Sequence, residues 1–423
     1  MIAAEERLAR ALLTRIAEPG DELLGRLIAK EGAIGALDVI RSDSLPATDP
    51  SDPGDPTGPA SPASPAGPAS PAGPASPAGP ASPAGLSGPA GLGKDGVARR
   101  FAAWRARLPD AEPQRLLAAC DALQGRLVCP GDAEWPTQLD DLGDRRPYAL
   151  WVRGDQDLRF GCLRSVAIVG ARAATSYGIN VAAEMAAELA DRGWTVVSGG
   201  AYGIDAAAHR GVLAADGLTV AVFACGFDVT YPSSHAGLFT EIARHGLLVS
   251  ELPPGAPPTR GRFLVRNRTI AALTRGTVVV EAARRSGAIS TARHARDLRR
   301  AVMVVPGPVT SAASAGCHVL LREWGEAVCV TDTAEVLDLV GLIGDDLAPE
   351  RRGPVLDRDR LDPVTRDVLE AIPARGGAGT ARIAVSAGVD LDTALAGLGA
   401  LSAAGFVERC AKGWKLRRRP PDR

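Results

Sequence analysis

Three turns rich in glycine or arginine carry most of the chemistry that this sequence can do. They are IVGARAATSYG (168–178), SGGAYGIDAAAHRG (198–211) and FLVRNRTIA (263–271). Such turns place backbone N–H groups and positive charge at the carboxyl ends of parallel strands, where open α/β sheets bind phosphate-bearing ligands. No evident nucleophile, metal cluster or complete nucleotide fingerprint accompanies them. The pattern therefore favours a protein that binds a phosphate backbone over an enzyme, and it predicts no cofactor and no metal.

In the first turn, Gly170, Arg172 and Thr175 stand where a G-x-G-x-x-G fingerprint would stand. A dinucleotide pyrophosphate needs the second glycine for close approach to the backbone, and Arg172 replaces it. The arginine blocks that approach but supplies a forked donor for a phosphate. The alternative is a solvated arginine in an ordinary strand-to-helix turn.

The second turn contains Gly199 and Gly200, which permit a loop of bare backbone. We expect an anion-binding nest that leads into the N-terminus of a helix. Asp205 is predicted to cap that helix rather than to act in catalysis. His209 lies one helical turn further on; without a third ligand nearby it is predicted to form a hydrogen bond or contact a phosphate rather than bind zinc.

Residues 260–300 contain eleven arginines, opposed only by Glu281 and Asp297. Part of this run is expected to be a solvated helix face. The Arg266-Asn267-Arg268 sequence is predicted to lie at a loop-to-helix junction, where two guanidiniums and an amide can track a nucleic-acid backbone. The aromatic residues available for base stacking are Tyr177, Tyr202, Phe227, Tyr231 and Phe263.

Two glutamates, Glu251 and Glu281, end predicted strands at the same edge. Paired carboxylates can do acid–base chemistry. Since no serine–histidine–acid order or metal set accompanies them, salt bridges to the arginines are favoured.

The elements that position these turns alternate between strand and helix from about 165 to 340. The strands are short, rich in valine and almost continuously apolar, as in a parallel sheet buried on both faces. This pattern predicts an α/β fold with a Rossmann-like, doubly wound parallel sheet. The predicted strands are 166–169, 195–198, 220–223, 247–250, 277–280 and 302–305, with helices at 179–192, 205–215 and 291–300 and a short extra strand at 148–153.

The flanking segments predict further domains around the Rossmann-like DNA-binding domain of residues 156–343. Residues 1–42 form a small helical module, of the SAM or helix-hairpin-helix kind, and 94–155 a helical and connecting segment. Residues 43–93 repeat the hexamer GPASPA; without large apolar side chains they are predicted to be a disordered linker rather than a mucin-like stalk. Residues 354–418 read as three helices and a β-hairpin, the pattern of a winged helix. Its last helix, 390–404, lacks the Arg, Lys, Asn and Gln that read bases, which favours docking to a protein.

The composition limits the class of protein. The 423 residues carry a formal net charge of −1, so any affinity for nucleic acid must come from a local patch. The seven cysteines show no C-x-x-C spacing and are expected to be reduced. There is no signal-peptide pattern and no apolar run of about 18 residues, which predicts a cytoplasmic protein without a membrane span.

At these residues the chain resembles the bacterial DNA-processing protein A family (DprA or Smf). The matching motifs, in the order of the family, are the three turns above together with CGFDVTYP, SELPPGAPP, VVVEAARRSGAIST and VVPGPV. The resemblance implies a homodimer that binds single-stranded DNA without sequence preference. It further implies loading of the RecA recombinase in natural transformation and recombination.

By position, the resemblance assigns DNA contacts to Arg172, the Gly199–Gly200 turn, Arg266 and Arg268. The chain departs from the family at Tyr202, where an arginine is frequent, and at Leu264, where a proline is common.

Two other functions compete with this interpretation. A nucleoside-monophosphate phosphoribohydrolase shares the fold, but it typically carries P-G-G-x-G-T where this chain has EAARRSGAIST. A winged-helix transcription factor is disfavoured because the predicted recognition helix lacks base-reading side chains.

Overall fold

The computed structural model describes residues 2–42, 94–341 and 357–417. The chain divides into two compact units, Met1–Ala348 and Pro349–Arg423, which are described separately. The GPASPA repeat and the rest of the predicted linker lie outside the described residues.

The larger unit is built on one sheet of nine strands in the order β1-β2-β6-β5-β4-β3-β7-β8-β9. Strands β3 to β9 run parallel to their neighbours, whereas β1 and β2 extend the β6 edge in antiparallel pairing. The strands are β1 (Gly125–Val128), β2 (Leu150–Arg153), β3 (Ser165–Val169), β4 (Thr195–Ser198), β5 (Thr219–Phe223), β6 (Leu247–Ser250), β7 (Gly276–Val279), β8 (Ala301–Val304) and β9 (Ala327–Cys329).

Among the described residues of this unit, twelve α-helices flank or precede the sheet. They are α1 (Ala4–Ile16), α2 (Glu22–Arg41), α3 (Lys94–Arg107), α4 (Pro113–Ala122), α5 (Leu158–Leu163), α6 (Ser176–Asp191), α7 (Ile204–Ala214), α8 (Ala236–His245), α9 (Arg260–Leu273), α10 (Gly287–Asp297), α11 (Ala315–Glu323) and α12 (Thr333–Val340).

Alternating side chains of the strands enter two different cores. In β3, Val166 and Ile168 pack with residues of α6, α7 and α12, while Ala167 and Val169 pack with residues of α9, α10 and α11. Successive residues of a strand point to opposite faces, so a strand that is apolar throughout must be covered on both sides. The predicted doubly wound α/β class is therefore confirmed. All six core strands lie within one residue of their predicted bounds.

The N-terminal helices pack onto the sheet unit rather than standing apart from it. Helices α1, α2 and α3 share one apolar cluster that includes Tyr148. The indole Nε1 of Trp151, on β2, donates to Thr14 Oγ1 at 3.1 Å, and Arg10 Nη1 donates to the carbonyl of Tyr148 at 2.8 Å. The helical segment 1–42 and the connecting segment 94–155 thus fold together, across the repeat that separates them in sequence.

The smaller unit contains helices α13 (Pro363–Glu370), α14 (Thr380–Ala387) and α15 (Leu391–Ala403) and a β-hairpin of β10 (Val407–Cys410) and β11 (Gly413–Leu416). Trp414 of the hairpin pairs with Ala378 and packs in the same cluster as Val368 and Leu398. Leu391 and Leu395 of α15 are 49% and 44% exposed. The winged-helix assignment stays a prediction.

Over the described ranges, no single helix has the length and apolar character needed to cross a membrane. The pair α14 and α15 reaches that threshold together, by length and composition only, and is bent by 104° at the break.

Candidate nucleic-acid interface

A pocket of about 480 Å³ lies at the carboxyl edge of the sheet. The loop after β3, the helix α9 and the N-terminus of α10 form its walls. Four of the predicted site residues line it: Gly170, Arg172, Arg266 and Asn267. In a parallel sheet, the loops that follow the strands lie at the same edge, and motifs that are separate in sequence therefore meet here.

Arg266 forms the floor of the pocket and is 6% exposed. Its Nη1 donates to the carbonyl of Gly199 at 2.9 Å and to the carbonyl of Val222, at or just beyond the ends of β4 and β5. A Cβ on Gly199 would lie 2.5 Å from this guanidinium, so the glycine makes room for it. Burial lowers the pKa of Arg266 to about 10, which leaves the side chain charged at neutral pH.

Asn267 connects α9 to the start of α10. Its Nδ2 donates to the carbonyl of Gly287 at 3.2 Å, and its Oδ1 accepts from Arg266 Nε at 3.3 Å. Ser286 caps α10 by accepting from the N–H of Ala288. The N-terminus of a helix carries partial positive charge, so this wall favours an anion.

Arg172 and Arg285 supply the exposed charge of the pocket. The guanidinium carbon of Arg172 lies 5.1 Å from the ring centre of Phe263, and that of Arg266 lies 5.9 Å from the same ring. The ring therefore orients two cations toward one space. The lining residues include three guanidiniums and one carboxylate, that of Asp205, so the pocket attracts anions.

The glycine turn after β4 does not offer an open anion nest. The N–H groups of Gly199 and Ala201 donate to Asp205 Oδ2 at 3.2 and 3.3 Å. The prediction that Asp205 caps α7 is wrong, because Gly203 is the N-cap, with a φ of 74°. The turn thus binds a carboxylate of its own chain. Burial raises the pKa of Asp205, while Arg266 and the two N–H groups oppose the shift.

Gly200 lies in the same turn, with a φ of 68°. A Cβ there would lie 2.8 Å from the ring of Phe239. A side chain on Gly199 would therefore clash with Arg266, and one on Gly200 would clash with Phe239. That either glycine contacts a phosphate stays a prediction.

Arg268 does not line the pocket. The helix α9 starts at Arg260, so 266 and 268 lie inside the helix and not at its junction with a loop. Two residues along an α-helix differ by about 200° in direction, so these arginines face opposite sides. Arg268 is fully buried and donates through Nη1 and Nη2 to the two oxygens of Glu251 at 2.8 and 2.7 Å. The expectation that it contacts DNA is therefore contradicted by its burial.

The two predicted strand-end glutamates have different partners. Glu251 forms the predicted salt bridge to an arginine. Glu281 instead accepts from the backbone N–H and the hydroxyl of Thr175 at 2.9 and 2.6 Å. Thr175 in turn caps α6 by accepting from the N–H of Gly178 at 3.2 Å, so Thr175 is placed as a helix cap beside the pocket.

His209 lies inside the protein, away from any ligand surface. Its Nδ1 lies 2.7 Å from Thr219 Oγ1, and burial lowers the pKa of its imidazole to about 3. The ring is therefore neutral at physiological pH. The predicted hydrogen-bonding role is confirmed, and contact with a phosphate is not compatible with this position.

The comparisons with known proteins decide the family. The family described as DNA recombination-mediator protein A matches residues 126–341. A putative DNA processing protein DprA of Mycobacterium tuberculosis is 48% identical over 305 residues, which cover 70% of this chain and 77% of that protein. The chain belongs to the DNA recombination-mediator protein A family.

Other relatives agree with this assignment. Protein Smf of Escherichia coli is 39% identical over 215 residues, or 50% of this chain and 56% of that protein. The X-ray structure of DNA processing protein A from Streptococcus pneumoniae matches with a TM-score of 0.52 and 31% identity, over 60% of this chain and 88% of that chain. The chain is thus a DNA-processing protein of the DprA family with a Rossmann-like fold.

Three exposed tyrosines follow strands at the same sheet edge as the pocket, although none of them lines it. Tyr177, Tyr202 and Tyr231 are 42%, 48% and 47% exposed, and all follow carboxyl ends of strands. Tyr231 packs on Phe263 with ring centres 5.4 Å apart, and Tyr202 packs edge-on against His235 at 4.9 Å. The rings are held in place with part of their surface open to solvent. Phe227, which was also a stacking candidate, is buried.

Arg285, Ser286 and Gly287 line the pocket but are not among the predicted site residues. The signal was present, because serine directly before a helix is a common cap and the segment follows a buried strand. In the sequence, Arg285 is one of eleven arginines in a charged run, and nothing local distinguishes it from the others.

Gly203→Ala is expected to destabilise the turn that carries Asp205. A Cβ at this position would lie 2.2 Å from the carbonyl oxygen of Ala171, and the positive φ adds strain. We expect a loss of about 1–3 kcal/mol in the free energy of unfolding. Gly237→Ala is the matched control, since its Cβ would meet nothing within 4 Å in the helix α8. Equal urea midpoints for the two variants would contradict the close packing of this turn.

Proposed function

We propose that this protein binds single-stranded DNA without sequence preference through the pocket of Arg172, Arg266 and Arg285, and that it loads the RecA recombinase onto the strand. We further propose that it acts as a homodimer and not as an enzyme. The observation that carries the proposal is the convergence of three guanidiniums and a helix N-terminus beside exposed tyrosine rings.

The chemistry of the pocket suits a phosphate backbone. Guanidiniums and helix N–H groups bind phosphate without reading bases, so affinity is expected to be independent of sequence and sensitive to salt. Exposed tyrosine rings at the same edge of the sheet add stacking, which requires bases that are not already stacked in a duplex. The combination favours a single strand over a double strand.

The phosphoribohydrolase alternative needs carboxylates that are free to act on a nucleotide. The two strand-end glutamates of this edge are both engaged: Glu251 is held by Arg268 and Glu281 by Thr175. This engagement supports a binding role. Release of free base from a nucleoside monophosphate would contradict it.

Fluorescence anisotropy with a labelled dT oligonucleotide, and with a duplex of the same length, tests the binding step. We expect tight binding to dT that weakens steeply with salt, and weaker binding to the duplex. Absence of binding to dT at low salt would overturn the proposal.

The recombinase step is tested separately, because it can fail while binding holds. The family description names a recombination mediator, which supports it. We expect the protein to shorten the lag in RecA ATPase activity on single strands coated with a single-strand-binding protein.

Light scattering after size exclusion tests the homodimer, whose two pockets would raise avidity through effective concentration.

Tyr202→Ala and Tyr231→Ala are each expected to weaken dT binding. Base stacking on an aromatic ring contributes about 1–3 kcal/mol per base, which corresponds to roughly 5- to 150-fold in affinity. Tyr202→Phe is the matched control, since it keeps the ring and removes only the hydroxyl that accepts from Ser234. If Tyr202→Phe loses as much affinity as Tyr202→Ala, stacking is not the role of this residue.

A further inference from the structure

The helix α15 presents an apolar face that the smaller unit does not cover. Only one of its residues, Asp392, carries a charge. Two adjacent rows of exposed residues, which we call the α15 stripe, run along it: Leu391, Leu395 and Gly399 in one, and Ala396, Ala400 and Ala403 in the other. Residues three and four apart on a helix share a face, and the exposed face of a helix is ordinarily polar. The α15 stripe therefore lacks a partner within the described part of the smaller unit.

Gly399 has no packing role inside the smaller unit. A Cβ at this position would meet nothing within 4 Å, whereas a Cβ on Gly397 of the same helix would contact Val368 at 3.4 Å. Glycine inside a helix is less favourable than alanine, because it loses more backbone entropy on folding. An exposed glycine does, however, let a second backbone approach closely. The α15 stripe thus suits another helix packed directly against it.

The two ends of the α15 stripe carry opposite charges. Asp392 is exposed in the first turn of α15. At the other end, a Cβ on Gly405, which follows the C-cap, would lie 3.6 Å from Nη1 of the exposed Arg417. Glu408 also lies near Arg417, but its carboxylate is bound by Lys415 Nζ at 2.8 Å, and Lys415 contributes more than Arg417 to lowering the pKa of Glu408.

We propose that the smaller unit pairs with that of a second copy of this chain through the α15 stripe, with the two helices antiparallel about a two-fold axis. A two-fold interface must be self-complementary. Antiparallel pairing meets this requirement, because it places each Asp392 beside the Arg417 of the other copy. The same register places Ala396 opposite Ala400, and the leucines of both copies become buried between the helices.

The observations favour a second copy over a nucleic acid. The α15 stripe contains no cation, and α15 has no side chain of the kinds that read bases. A helix of 13 residues is about 20 Å long, so one helix pair buries less than a standard interface. We therefore expect a weak contact that strengthens when two chains are already held near each other. The contact uses no residue of the pocket of Arg172, Arg266 and Arg285, so it can hold or fail independently of DNA binding.

Disulfide crosslinking of the full chain tests the pairing and its register. The background is Cys329→Ser with Cys410→Ser, which removes the two cysteines that are not buried. In this background, Ala396→Cys with Ala400→Cys places unlike cysteines opposite each other twice in every pair. Each single variant leaves like cysteines offset by about 6 Å along the helices, in addition to the separation of the axes, which is too far for a disulfide. We expect mild oxidation to crosslink two chains of the double-cysteine variant at least about fivefold faster than either single variant.

The control for exposure is Val364→Cys, on α13 and outside the α15 stripe. We expect it to crosslink no faster than the single variants. Absence of crosslinks in the double-cysteine variant, or equal rates in Val364→Cys, would overturn the proposal and leave the α15 stripe to a different protein.

Charge reversal in the double-cysteine variant tests whether the occupant is a second copy. Asp392→Arg and Arg417→Asp are each expected to slow crosslinking by about fivefold or more, since each creates two repulsive pairs by symmetry. The two reversals combined should restore the rate, because both charges then match again. Leu395→Asp should abolish crosslinking, and Val364→Asp, at an equal exposure of 44%, should leave it unchanged. If the combined reversal does not recover while its circular dichroism spectrum is unchanged, the second copy is not the occupant.

Discussion

Glu251→Ala is expected to destabilise the larger unit by about 3–5 kcal/mol, since it leaves the charge of Arg268 buried without a partner. The pair is bidentate, and its two side chains are 0% and 6% exposed. The hydroxyl of Thr269 also donates to Glu251 Oε1, at 2.6 Å. Urea denaturation followed by circular dichroism measures the loss.

Two controls separate a buried pair from ion pairing in general. Glu241→Ala removes a partner from the exposed Arg244–Glu241 pair, which has the same 2.8 Å separation, and should cost at most about 1 kcal/mol. The double variant Glu251→Leu with Arg268→Met should recover most of the stability, because it removes both charges. If Glu251→Ala lowers the free energy of unfolding no more than Glu241→Ala does, burial does not make the Glu251–Arg268 pair more stabilising than an exposed pair.

The buried pair also links the N-terminal helices to the pocket of Arg172, Arg266 and Arg285. A Cβ on Gly20 would lie 2.7 Å from Arg268 Nε, so the turn between α1 and α2 covers the pair. Glu18, beside that turn, accepts from Arg262 Nε and Nη2 at 2.8 and 2.9 Å, and this contact lowers the pKa of Glu18. Since Arg262, Arg266 and Arg268 all belong to α9, the N-terminal segment helps to fix the helix that projects Arg266 into the pocket.

The fold was predictable from sequence because its signal is local. Each core strand is a run of buried valines and other small apolar residues, and each is followed by a turn at a regular spacing. The strand β1 and its pairing with β2 were not predicted. Gly125–Val128 has only four residues, and its partner is more than twenty residues away.

The site was predictable in its location but not in its details. The sequence predicts the motif containing Arg266 and Arg268 at the start of a helix, whereas α9 begins six residues earlier, after Thr259. Thr259 is recognisable in the sequence as a helix cap. A helix that begins at residue 260 places Arg266 and Arg268 on opposite faces. The contact between Asp205 and the N–H groups of Gly199 and Ala201 was not visible, because a carboxylate inside the first turn of a helix can reach back to the loop before it.

No local sequence pattern predicts contacts between residues on the two sides of the GPASPA repeat. Thr14 and Trp151, or Glu18 and Arg262, are more than a hundred residues apart. The helical periodicity of residues 2–41 predicts an apolar face but not its partner. The partner is the combination of α3 and Tyr148, which the repeat separates from it in sequence.

Replacing both exposed arginines of the pocket at the carboxyl edge, Arg172→Gln with Arg285→Gln, is expected to produce the largest loss of single-strand binding. Hydrogen bonds to charged groups contribute about 1.5–3 kcal/mol each, so each replacement should weaken dT binding by roughly 10- to 150-fold. The slope of log affinity against log salt should fall by about 0.7 for each phosphate contact removed. Arg266 is less suitable for this test, because it also holds the carbonyls of Gly199 and Val222.

The matched control changes the net charge equally at the other edge of the sheet. Arg192→Gln with Arg299→Gln replaces two exposed arginines that precede β4 and β8, so the overall field loses the same two charges. We expect this control to bind dT nearly as the unmodified protein does, with an unchanged salt slope. The loss in the pocket variant should be similar for dT, dA and dC oligonucleotides, because phosphate contacts carry no sequence information. Equal losses in the two double variants would mean that net charge, and not the pocket, binds the strand.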